Sequence, residues 1–147
     1  SSDLRDTVRP RPPTPTMFPA TPEPAPDSAP EAAPAATLVI VLASGSTEAA
    51  QFALRYAATA AAMDVGVELH AISAGAVARF GRNAASPSLL LQIRQAAEFG
   101  AAIFVCPLAL ADQGLPAEDL IEEVSGVRGA ASLLEAGLAP GARFLNF

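Results

Sequence analysis

Cys106 is the only cysteine in the chain, and it stands where an apolar run, Ala101 to Val105, passes into C-P-L-A-L-A-D-Q-G, Cys106 to Gly114. The proline that follows suits the first position of a short helix, where a missing N–H costs nothing, and Gly114 suits a left-handed helix stop. Cys106 is thus expected to cap a helix N-terminus. Free N–H groups and the positive end of the helix dipole favour a thiolate over a thiol there and make the sulfur nucleophilic. The plainer account of the same residue is a small buried hydrophobe, which free cysteine often is. Asp112 lies between Cys106 and Gly114 and is a weaker candidate, able to orient a partner but equally suited to a helix end. Arg79, Arg82 and Arg94 could bring positive charge to the sulfur, although surface arginine is the simpler expectation for each.

Other residues capable of chemistry give less. The turn Ser44 to Thr47 could cradle an anion at a helix N-terminus beyond a strand, with Ser44 and Ser46 as the side chains concerned. A capping turn is the simpler reading, since serine and threonine are preferred caps and the lysine of a phosphate-binding loop is missing. Gly126 to Gly129 offers only G-x-x-G, too little for a dinucleotide. His70 is the sole histidine, with no cluster of ligating residues near it in sequence, so it reads as a strand-face residue. Neither a cofactor nor a metal is expected.

The elements that must position these residues follow from periodicity. Thr37 to Ala43 is a continuous apolar run rich in branched residues, as in a strand covered on both faces, and is read as the central strand. Ser44 and Gly45 turn the chain, Ser46 can cap, and Phe52, Tyr56, Ala60 and Met63 recur at helical spacing. Val67, Leu69 and Ala71 alternate with Glu68 and His70, which predicts a peripheral strand with one wetter face. Ser86-Pro87 starts a helix with Leu89, Leu90 and Ile93 on one face, closed by Gly100 before the strand that leads to Cys106. Pro116 to Val124 reads as a further helix with acids in its first turn. Gly126 to Gly129 is a candidate short strand, Ala130 to Ala136 a last helix and Ala142 to Phe147 a final strand. This alternation specifies a three-layer α/β/α fold with a mostly parallel sheet of about five strands, in which sites form beyond the carboxyl ends of strands.

Composition divides the chain near Ala36. Residues 1–36 hold ten of the fourteen prolines and few large apolar side chains, so they cannot bury enough surface to offset their ordering entropy and read as a disordered or extended tail. Residues 37–147 are rich in Ala, Leu, Val and Ile, enough for one core. Net charge is −6 overall, and six arginines against ten acids leave −4 for the body. The chain has no lysine, which argues against nucleic acid as a partner. No apolar run is long enough to span a bilayer, so no membrane role is expected, and one unpaired cysteine is compatible with a reducing cytoplasm.

Three features together resemble the DsrE/DsrF-like family, which includes the TusD-type and YchN-like sulfur-relay proteins. They are an apolar first strand followed by G-S-T-E; a cysteine eight residues before a glycine, Cys106 and Gly114; and E-D-L-I-E-E-V followed by G-A-A-S-L-L-E-A-G and R-F-L-N-F. The resemblance covers Thr37 to Phe147. It implies a cysteine, here Cys106, that takes up sulfane sulfur as a persulfide and passes it to another protein's thiol, usually within homo- or hetero-oligomers. Some relatives carry a second cysteine nearby, where this chain has Ala109 and Ala111, so a partner must supply the second thiol. The proline-rich extension departs from the family pattern. It leaves open a different function, that of a non-catalytic assembly subunit docking a larger enzyme through its tail. A small-ligand or nucleotide sensor using Ser44 to Thr47 is the fainter third.

Overall fold

The computed structural model describes residues 36–147, and the expectation of a proline-rich tail falls on residues outside that range. Five parallel strands form one sheet: β1 (Thr37–Leu42), β2 (Gly66–Ala71), β3 (Ala102–Val105), β4 (Gly126–Val127) and β5 (Ala142–Asn146), in the spatial order β4-β3-β2-β1-β5. The chain steps from β1 across to β4 in one direction, then returns past the whole sheet to lay β5 on the far side of β1. The expectation of a mostly parallel, five-stranded α/β fold is met, with every pairing parallel.

Two placements differ from the periodic reading. β1 lies second from an edge, and the middle strand is β2, which pairs with β1 and β3. The polar residues of β2 therefore do not mark a wet periphery: His70 is only 2% exposed. Its Nε2 is satisfied by Glu68 Oε1 at 2.9 Å and its ring packs on Phe104 at 5.1 Å between centroids. A histidine with a local carboxylate can be buried at little cost, so alternation overstated the solvent on that face.

One face of the sheet is covered thickly. Ile40 and Leu42 of β1, Val67, Leu69 and Ala71 of β2, and Ile103 and Val105 of β3 point to the same side and join one buried cluster, as the period of two requires. Onto it pack α1 (Thr47–Ala62), through Ala50, Ala53, Leu54, Ala57 and Ala61, and α3 (Pro87–Glu98), through Leu89, Ile93 and Ala96. These positions recur at three and four residues, one stripe per helix. The short helix α2 (Ala74–Ala78) and the largest fully buried side chain, Phe80, complete that layer. The opposite face is covered thinly, by α5 (Ala130–Leu138) alone among the described helices, and no residue of α5 is itself buried.

The helix expected from Pro116 to Val124 is not formed. Ala117–Asp119 makes a single 3₁₀ turn, and Leu120 is extended, with φ −78° and ψ 152°. Leu120 bridges Gly81 antiparallel, while Arg82 N–H donates to Asp119 O at 2.7 Å and Ile121 N–H to Phe80 O at 3.0 Å. Long-range pairing captured backbone groups that a helix would have used internally, a tertiary override of local propensity.

Candidate functional site

β3 delivers Cys106 to the carboxyl edge of the sheet. Its N–H donates to Ala71 O at 3.0 Å, extending the β2–β3 ladder by one residue, and its C=O accepts from Leu110 N–H at 3.0 Å, the first bond of the next helix. Cys106 therefore belongs to both elements at once. It is the N-cap of α4 (Pro107–Gln113), extended at φ −76° and ψ 129°, with Pro107 at the first helical position. Gly114 ends the helix at φ 70°, in the left-handed region. Both sequence expectations for this segment are met, for the same reasons: proline lacks only an N–H that the first turn leaves unpaired, and glycine enters the left-handed region without a Cβ clash.

The cysteine is unpaired and half-buried. Its side chain makes no capping hydrogen bond and rests partly against the buried cluster. The residues that follow its neighbours in the ladder leave a rim of exposed apolar groups. Ile72 follows Ala71, Leu108 lies two residues beyond the sulfur at 74% exposure, and Val127 pairs with Val105 on the edge strand. The segment leaving β4 runs alongside, with Arg128 N–H donating to Val105 O at 2.9 Å. A Cβ on Gly129 would lie 3.7 Å from Pro107 Cδ.

The other candidate residues are placed as follows. Ser44 and Ser46 close the turn after β1: Ser44 Oγ donates to Ser46 Oγ at 3.2 Å, and Ser46 Oγ accepts from Ala49 N–H at 3.0 Å as the N-cap of α1. Gly45 presses on Gly75 so closely that a Cβ there would stand 2.9 Å from the Gly75 Cα. Ser73 Oγ donates to Ala43 O at 2.6 Å and locks the two strand exits together. Asp112 is exposed near the end of α4, more than a turn along the helix from Cys106. Of the arginines, Arg79 reaches Thr47 Oγ1 at 3.3 Å, Arg82 donates to Glu118 O at 2.9 Å, and Arg94 pairs with Glu123 at 3.0 Å. Sequence reasoning passed over Arg128, whose backbone borders the cysteine and whose guanidinium lies 4.2 Å above the Phe104 ring. Its signal was faint, a cation after a two-residue strand.

A three-layer α/β domain with an all-parallel sheet and a lone half-buried thiol at a strand-to-helix junction defines the class to which the chain belongs. The model of the DsrE/DsrF-like family matches residues 36–147, and the chain is a member of that family. Among the solved structures that share the fold are the following two. The crystal structure of the ychN protein from E. coli matches with a TM-score of 0.63 at 16% identity, covering 76% of this chain and 98% of that one. The protein of unknown function MTH1491 from Methanobacterium thermoautotrophicum matches with a TM-score of 0.62 at 16% identity, covering 76% of this chain and 99% of that one. No curated protein matches the sequence. Membership of this family supports a role in sulfur relay, with protein partners. Among the described residues no helix is long and apolar enough to cross a membrane.

Proposed function

We propose that this protein carries sulfane sulfur as a persulfide on Cys106 and hands it to the thiol of a partner protein. The observation that carries the reading is the position of the family chain's only cysteine: half-buried, with no side-chain capping hydrogen bond, at the carboxyl end of an interior strand and the start of a helix. Charging is thiolate attack. The Cys106 thiolate displaces a donor thiolate from the outer sulfur of a donor persulfide, forming Cys106–S–SH and releasing the donor sulfur with the electron pair of the broken S–S bond. Discharge repeats the exchange, as the partner's thiolate attacks the outer sulfur and regenerates the Cys106 thiolate. No electrons are gained or lost overall, so the cycle needs no redox cofactor.

With a single cysteine the chain cannot resolve its own persulfide as an internal disulfide, so both exchanges are intermolecular and the site must admit another protein. The exposed apolar side chains of Ile72 and Leu108, near Cys106 in the ladder and in the chain, are the surface assigned to such a partner. A free thiol used in this way suits the reducing cytoplasm. The test is intact mass after the reduced protein meets a sulfane-sulfur donor. The wild type gains one sulfur atom, lost again on adding reductant, and Cys106→Ser gains none. An accessible thiol that alkylates readily yet takes up no sulfur refutes the proposal.

A further inference from the structure

α1 and α3 lie side by side on the thickly covered face of the sheet, and because they link strands that all run parallel they point the same way. Between their outer flanks runs a groove of about 410 Å³, a size within the range of small-molecule sites. Its two ends differ in chemistry. Met63 and Phe99, the C-caps of the two helices, form one end and are 69% and 48% exposed. Arg55 and Gln92 line the other end, each about two turns back along its helix. Ala58 and Ala62 line the stretch between them on the α1 side. Met63 and Phe99 lead into the amino ends of β2 and β3, so the apolar end points away from Cys106 at the carboxyl edge.

Both polar groups are short of partners. Gln92 Oε1 is shut off from water and has no hydrogen bond, and an acceptor left in that state costs free energy that an incoming donor relieves. Arg55 is exposed and forms no ion pair among the described residues. Its guanidinium lies over the Phe52 ring, 5.3 Å from the centroid, an arrangement that occupies the face of the group and leaves its N–H edge for a carboxylate.

We propose that this groove binds a medium-chain N-acyl amino acid. The carboxylate pairs with Arg55, and the amide N–H donates to Gln92 Oε1, which turns into the groove that the side chain already lines. The acyl chain runs past Ala58 and Ala62 to end between Met63 and Phe99. Arg55 and Met63 are eight residues apart on one helix, about 12 Å along its axis, a span that an octanoyl group on glycine covers when extended. A plain fatty acid lacks the donor that Gln92 needs, and a cationic amphiphile meets Arg55 with like charge. This inference does not depend on the chemistry of Cys106.

The test titrates N-octanoylglycine into the full chain carrying Met17→Leu, which leaves Met63 as the only methionine, so that one methyl signal labelled with carbon-13 reports the groove. The signal should shift and saturate with a dissociation constant on the order of 1 mM, as befits so small a ligand. Ala62→Phe, at an exposed position where the fold should survive, fills the groove and should raise that constant roughly tenfold. Arg55→Met should raise it about fivefold, the scale of an exposed ion pair. The octanoyl ester of glycolate, which lacks the N–H, should bind about fivefold more weakly than the amide to the parent chain and equally well to Gln92→Leu. An unmoved or unsaturated Met63 signal, equal binding of amide and ester by the parent chain, or a dissociation constant indifferent to Ala62→Phe or to Arg55→Met overturns the proposal.

Discussion

At the scale of single residues, the site separates two tasks that one cysteine must perform, accepting sulfur from a donor and releasing it to a partner. Only the second needs a protein surface beside the thiol. Leu108 is the most exposed of the rim residues and lies next to Pro107 rather than in the core. Leu108→Asp should therefore leave charging by a small sulfane donor unchanged and slow transfer to the physiological acceptor by roughly tenfold, the cost of about 1.4 kcal/mol of lost docking. Intact mass followed over time, with and without the acceptor, separates the two steps. Equal slowing of both would mean that Leu108 shapes access to the sulfur instead. The cysteine itself was legible in the sequence because proline and glycine bracket its helix with distinct backbone requirements. The placing of the arginines was not, because it depends on topology: the three candidates are held by Thr47, Glu118 and Glu123, while Arg128 leaves a neighbouring strand with its guanidinium over Phe104.

At the scale of elements, the helices that formed as expected have both an apolar stripe and matched end signals. α3 begins at Ser86-Pro87, with Ser86 Oγ accepting from Leu89 N–H at 3.3 Å, and buries Leu89, Ile93 and Ala96. The Pro116 to Val124 segment has the acidic first turn but lost its second half to pairing with Gly81, a partner far away in sequence that no local pattern announces. α4 is the element on which the site depends, and its stop is a backbone matter alone. Nothing lies within 4 Å of a Cβ built on Gly114, yet its φ is positive. Gly114→Ala should therefore destabilise the protein by about 1–2 kcal/mol through the left-handed conformation, read as a lower urea midpoint. Cys106 sits at the opposite end of α4, so sulfur uptake by the folded variant should remain. A loss below about 0.5 kcal/mol would show that the turn relaxes out of the left-handed region.

For the molecule as a whole, the class of fold was legible because strands and helices alternate, but strand order was not. Thr37 to Ala43 looks like a central strand since it is apolar throughout, and β1 is covered on both faces; one edge strand beyond it suffices for that burial, so the pattern could not distinguish second place from the middle. His70 misled in the opposite sense, its polarity masking burial that Glu68 made affordable. The thin covering of the sheet by α5 likewise has no signature in periodicity, because A-A-S-L-L-E-A-G-L reads as an apolar helix whether its outer flank meets solvent or another subunit.

Among the described residues, the five strands, the buried cluster and the Cys106 junction draw on 37–147, a stretch that the family match also spans. A chain beginning at Ala36 is therefore expected to unfold cooperatively, with a urea midpoint close to that of the full chain, and to take up one sulfur at Cys106 at an unchanged rate. If the proline-rich residues serve instead to dock this domain into a larger assembly, the same truncation abolishes co-purification with that assembly while sulfur uptake persists. The two measurements divide the outcomes. Intact uptake with intact partner capture assigns recognition to the folded domain, and intact uptake with lost capture assigns it to residues 1–35. A truncated chain that no longer folds would contradict the placement of the whole core after Ala36.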